Sequence, residues 1–178
     1  YPGLNLGFSG YIGASESQAY DGLDLSDDAA VSFADSTIIG IQMLGFDARY
    51  NQGAFQLTGQ YIIANLSNTD QYNKVTGKDL GSKMTGYYAE LGYNLLDKIS
   101  EKQELIAFAR YENYNTHAEV EADGGTVLNE EYNRTDITVG LGYKVAKGAM
   151  LKADYQMKSN AGSEDKSSQW NFGTAIWF

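Results

Sequence analysis

Asp136-Ile137-Thr138-Val139-Gly140-Leu141-Gly142-Tyr143-Lys144-Val145 alternates strictly: each odd position is apolar or aromatic, each even position polar, charged or glycine. Successive strand residues point to opposite faces, so this stretch reads as a β-strand with one apolar and one polar side. A helix would need a period near 3.6, which this pattern does not have.

The same period extends in both directions. Downstream, Leu151, Ala153, Tyr155 and Met157 alternate with Lys152, Asp154, Gln156 and Lys158, and Trp170, Phe172, Thr174, Ile176 and Phe178 share one face of a last strand. Upstream, Leu105, Ala107, Ala109 and Tyr111 oppose Ile106, Phe108, Arg110 and Glu112, and Tyr87, Ala89, Leu91, Tyr93 and Leu95 oppose Tyr88, Glu90, Gly92 and Asn94. Phe55, Leu57, Gly59, Tyr61 and Ile63 alternate with Gln56, Thr58 and Gln60, and Leu44, Phe46, Ala48 and Tyr50 with Gly45, Asp47 and Arg49. Leu4, Leu6, Phe8 and Ile12 form the first segment, against Asn5, Gly7, Ser9 and Tyr11. Ile38-Ile39-Gly40-Ile41 breaks the phase of the second segment, which a β-bulge near Gln42 would repair.

Eight strands leave seven connections: residues 16–36, 51–53, 65–83, 96–103, 113–133, 146–149 and 159–167. They alternate long and short. Transmembrane β-barrels have long loops at one end and short turns at the other, with an apolar outer face and a polar inner one. A soluble sandwich has no reason to sort its loops this way. The tyrosines agree: Tyr50, Tyr93, Tyr143 and Phe178 fall at the short-turn ends of the apolar face, and Tyr111, Tyr155 and Trp170 towards the long-loop ends. Such girdles sit where a ring is half in lipid and half in water. The sequence therefore predicts an all-β fold, an antiparallel transmembrane β-barrel region spanning residues 1–178 as one unit, with eight strands visible.

Composition is consistent with this and excludes other classes. Among 178 residues there are 20 Gly, 14 Tyr, one Pro and no Cys, which favours strand over helix and removes zinc fingers and thiol chemistry. A net charge of −10 argues against nucleic acid as a partner. No run approaches the roughly 20 apolar residues of a membrane-spanning helix. Tyr1-Pro2-Gly3 opens directly on an alternating stretch without a visible signal peptide, as expected if upstream residues were cleaved or lie outside the chain.

The strand Trp170, Phe172, Ile176, Phe178 resembles the C-terminal strand that the barrel-assembly machinery recognises in bacterial outer-membrane proteins, an assembly signal ending in Phe. The resemblance extends further. Gly45-Phe46-Asp47-Ala48-Arg49-Tyr50-Asn51-Gln52-Gly53-Ala54-Phe55-Gln56-Leu57 looks like a two-strand element of the C-terminal half of the phosphate-selective porin O/P-like family. Glu104-Leu105-Ile106-Ala107-Phe108-Ala109-Arg110-Tyr111-Glu112, Tyr132-Asn133-Arg134-Thr135 and Leu151-Lys152-Ala153-Asp154-Tyr155 look like later elements. The resemblance implies the C-terminal half of a barrel of roughly sixteen strands in the bacterial outer membrane. It also implies a porin passing small hydrophilic solutes or ions by passive diffusion, and is compatible with a homotrimer. Expected partners are outer-membrane lipid, lipopolysaccharide and the assembly machinery; no cofactor is expected. Phosphate selectivity is not carried across, because no arginine ladder matches the family's basic constriction.

The expected pore-lining residues are Asp47, Arg49, Glu90, Arg110, Glu112, Asp136, Lys144, Lys152, Asp154 and Lys158; Glu104 and Arg134 complete six acids and six bases on the polar faces. They suit a pore wall with a transverse field and, equally, a salt-bridge network that holds the wall. The first long loop carries Glu16, Asp21, Asp24, Asp27, Asp28 and Asp35 without a base, and reads as a solvated loop rather than a cation site. An outer-membrane enzyme is the first rival. Its only histidine, His117, falls in an expected loop beside Glu119 and Glu121 and reads as solvated, so no enzyme is expected. The second rival is a complete eight-stranded anchor or adhesin with Tyr11, Tyr88, Phe108 and Trp177 filling its interior. A lipocalin-like barrel would turn its apolar face inward, against the loop sorting and the girdles.

Overall fold

The computed structural model describes residues 2–100, 103–121 and 125–176. Phe178 and Trp177 lie outside the described residues, and with them the last position of the expected assembly signal. The eight expected strands form: β1 (Leu4–Ala14), β2 (Gly40–Gln52), β3 (Phe55–Ser67), β4 (Lys83–Asn94), β5 (Glu104–Glu119), β6 (Asn133–Ala146), β7 (Ala149–Asn160) and β8 (Ser163–Ile176). They pair in chain order, each antiparallel to its neighbour, in one eight-stranded sheet. Among the described residues no pairing joins β1 to β8, so the sheet is open at both edges.

One end carries tight turns. Gly53 (φ 56) and Ala54 close the β2–β3 hairpin, where a two-residue turn needs a left-handed first residue that glycine adopts without strain. The other end carries the long connections, which hold two helices the sequence reading did not anticipate: α1 (Asp28–Ser36) and α2 (Thr69–Thr76). Asp27 caps α1 by accepting from the amides of Ala29 and Ala30, satisfying two of the helix's free N–H groups.

Several expectations need correction. No bulge lies near Gln42: the register of β2 with β1 and β3 runs unbroken from Gly40 to Tyr50. The phase break resolves because Ile39 precedes the strand and packs under the loops, 5% exposed, while Ile41 falls on the polar face. Irregular register occurs instead at Lys83/Thr85, Lys144/Ala146 and Lys158/Asn160. The connection expected at 113–133 is shortened by β5, which runs on to Glu119. The one expected at 159–167 shrinks to Ala161-Gly162, because β7 and β8 continue as a hairpin with polar residues on both faces. Backbone pairing thus outlasts the apolar alternation by several residues, a continuation that hydrophobic period cannot signal.

The sheet has no covered apolar core. Among the described residues the buried hydrophobics are Ala34, Ile39, Ala54 and Ala64. Large apolar side chains instead line an uncovered face, including Leu6 (62% exposed), Phe8 (77%), Trp170 (66%) and Phe172 (79%).

Candidate functional site

The register turns eight separate alternations into two continuous surfaces. One hydrogen-bonded row reads Leu4, Tyr50, Leu57, Leu91, Ala109, Val139, Tyr155, Trp170, apolar or aromatic at every strand. The next row towards the short turns includes Phe55, Tyr93, Ala107, Leu141, Ala153 and Phe172. Rings meet across strands here: Phe55 and Tyr93 edge to face at 4.8 Å, Tyr155 and Trp170 at 5.0 Å, Tyr87 and Tyr111 at 6.1 Å. Shallow grooves between the side chains, such as one of about 770 Å³ among Leu105, Leu141, Leu151 and Phe172, are apolar and open.

The opposite surface holds all ten expected wall residues: Asp47, Arg49, Glu90, Arg110, Glu112, Asp136, Lys144, Lys152, Asp154 and Lys158. A single row carries Arg49, Thr58, Glu90, Arg110, Thr138, Gln156 and Gln169. Among the described residues four ion pairs join strand residues: Arg110 with Glu112 at 2.9 Å, Lys144 with Glu104 at 2.7 Å, Lys152 with Asp154 at 3.7 Å and, at the long-connection end, Lys83 with Glu119 at 2.5 Å.

Asp136 and Asp154 are only 7% exposed, and buried carboxylates need donors. Gln156 Nε2 donates to Asp136 at 2.9 Å and Asn171 Nδ2 to Asp154 at 2.8 Å. Gln169 Nε2 donates to the Gln156 amide oxygen at 3.1 Å, and Lys158 Nζ to the Gln169 oxygen at 3.1 Å, so amides and charges form one lattice over β6, β7 and β8.

Aromatic rings lie along this polar face. The Arg110 guanidinium stacks 3.7 Å above Tyr88, and Lys152 Nζ sits 4.4 Å from the Phe108 ring centre. Phe108 reaches across to Gly140, where an added Cβ would stand 2.6 Å from Phe108 Cζ. Glycine there leaves room for the ring against the backbone.

At the long-connection end, His117 corrects the sequence reading. It lies on β5, not in a loop, and is 4% exposed. Its Nε2 meets the Asp79 carbonyl, and its Nδ1 accepts from the Asn129 amide at 3.2 Å. Both ring nitrogens thus hold backbone groups of two different loops, which describes an anchor. Tyr132 packs against it with the rings tilted at 45° and their centres 4.9 Å apart, and donates to Asp79 Oδ2 at 2.9 Å; that bond, with the Asp79 charge, holds the phenol above its ordinary range.

Asn73 adds a second tie, donating to the Leu80 carbonyl and to Thr126 Oγ1, each at 2.9 Å. Asn68, in the left-handed conformation that Asn tolerates (φ 67), donates to the Ile38 carbonyl at 2.8 Å and joins the first loop to the second. Nothing in the residues next to Asn68, Asn73 or His117 in the sequence signals these ties.

No protein-family profile matches the chain. A protein of Aquifex aeolicus (strain VF5), described as uncharacterized, is 33% identical over 116 residues, 64% of this chain. The match spans 26% of the relative's own length, about a quarter.

Proposed function

We propose that the chain forms part of the wall of a bacterial outer-membrane porin that passes small hydrophilic solutes or ions by passive diffusion, with outer-membrane lipid and lipopolysaccharide against its apolar face. The observation that carries this is the unbroken apolar face across all eight strands, exposed and backed by a charged, hydrogen-bonded face. Soluble monomers seldom expose apolar patches beyond a few hundred Å². A membrane barrel wall requires this arrangement.

The open edges of β1 and β8 support closure by further strands. Unpartnered backbone groups cost several kcal/mol each in hydrocarbon, so an open sheet cannot span a bilayer alone. The Aquifex relative is long enough to supply such strands, and the resemblance to the phosphate-selective porin O/P-like family points to roughly sixteen in all. The rings of Tyr88 and Phe108, folded along the wall, suit a wider, water-filled lumen rather than the side-chain-filled interior of an eight-stranded barrel. The charges along the polar face and the anchored His117 suit a channel better than a catalyst.

Planar-bilayer recording of the full-length protein tests this. The expected result is stepwise conductance from a protein whose gel mobility changes on boiling, because a closed barrel resists detergent until heated. A heat-modifiable protein that inserts without conductance would replace the porin reading with the anchor reading.

A further inference from the structure

The apolar face is skewed against the hydrogen-bonding rows, and the skew is regular. Towards the long connections, the first polar residue of this face is Gln42 on β2, eight residues from Tyr50 in the common row, but Ser168 on β8, two residues from Trp170 in that row. Between them the border passes through Asn65, Thr85, Asn113, Thr135 and Ser159. It descends six residues in six strand steps.

The aromatic borders follow it. Towards the short turns, Tyr50 lies in the row itself on β2, Tyr93 two residues beyond it on β4 and Tyr143 four beyond it on β6. Towards the long connections, Tyr87 stands four residues above the row on β4, Tyr111 two above on β5, and Tyr155 with Trp170 in it. Each border therefore falls by about one residue per strand. A soluble sheet packed on a partner has no need of this slope. A flat slab of hydrocarbon cutting tilted strands produces it.

We infer that the bilayer crosses this sheet obliquely, so that residues bonded in one row lie at different depths: Tyr50 at the interface on the short-turn side, Leu91 near the midplane, Trp170 at the opposite interface. This rests on the porin-wall reading and adds the placement of the membrane on the sheet. One residue of about 3.4 Å per strand spacing of about 4.8 Å corresponds to a strand tilt of about 35°. That value sits at the shallow end of the roughly 35–45° found in barrels. It corresponds to a shear number equal to the strand number of the closed barrel, whatever that number is.

The chain has no cysteine, so nitroxide labels can be placed singly on it. The full-length protein, with any cysteines elsewhere replaced, would be labelled at Tyr50, Leu57, Leu91, Val139 or Trp170 and reconstituted in phosphatidylcholine vesicles. The readout is the ratio of oxygen to nickel-chelate collisions, which rises with depth. The ratio should peak at Leu91, several-fold above its values at Tyr50 and Trp170. Phe55 against Leu141 in the neighbouring row repeats the test where a rim label prevents folding, with Leu141 the deeper.

A ratio that is high but level along the row would overturn the oblique placement and the tilted strands that barrel closure needs, while leaving the apolar face in lipid. A ratio that is low at every site would overturn the membrane reading and the placement together.

Discussion

Val139→Arg tests the assignment of faces most sharply. Val139 is 43% exposed, pairs across the sheet with Ala109 and Tyr155, and stands four residues from Thr135 at one border of the apolar face and four from Tyr143 at the other. Four residues are about 14 Å along a strand, too far for an arginine to carry its whole charge out to the interface by snorkelling. In lipid the substitution should therefore cost roughly 2–4 kcal/mol, about 30- to 700-fold in the folding equilibrium. In water, a half-exposed valine replaced by arginine should change stability by only about 0.5 kcal/mol either way.

Thr138→Arg is the matched control. Thr138 faces the charged lattice between Arg110 and Gln156, where a like charge opposite Arg110 should cost roughly 0.2–1 kcal/mol. Urea titrations of the full-length protein in phosphatidylcholine vesicles, followed by tryptophan fluorescence, read both. Equal costs, or a larger cost at Thr138, would refute the assignment of the two faces.

Fifteen acids within residues 16–36, 65–83, 113–133 and 159–167, against Lys74, Lys78, Lys83 and Lys166, make the long-connection end acidic. A one-signed mouth concentrates counter-ions over roughly 8 Å at physiological salt. Reversal potentials in a salt gradient should accordingly show no preference or a mild cation preference that fades at high salt, and a clear anion preference or a saturable phosphate site would contradict this. Replacing His117 with Ala should leave the Asp79 carbonyl and the Asn129 amide without their partner, at about 1–3 kcal/mol of local stability. Protease cleavage within residues 120–132 should then speed up while the sheet's unfolding midpoint stays put, and unchanged cleavage would refute the anchor. Cysteines placed on β1 and β8 of one molecule should not cross-link in the full-length protein; efficient cross-linking would mean that eight strands close on themselves.

Legible along the chain is whatever depends on the neighbour two positions away. Period-two alternation located all eight strands and divided each, from Leu4 on β1 to Ile176 on β8, into an apolar and a polar side, because the pleat sends successive side chains to opposite faces. That the ten charged residues share one face of the sheet was legible for the same reason.

Properties that depend on residues far apart in the chain emerge only in the folded sheet. Register is one such property: it joined Tyr50 to Leu57 and Leu91 in one row, removed the supposed bulge at Gln42, and revealed the slope of the apolar band. Burial of polar groups is the other. His117 read as a solvated loop residue and Asn73 drew no reading, because nothing in their neighbouring sequence shows that backbone groups of Asp79, Leu80 and Asn129 come to them. A strand's two faces follow from its own pleat, whereas depth in a membrane and the partner of a buried nitrogen exist only once separate strands have been brought together.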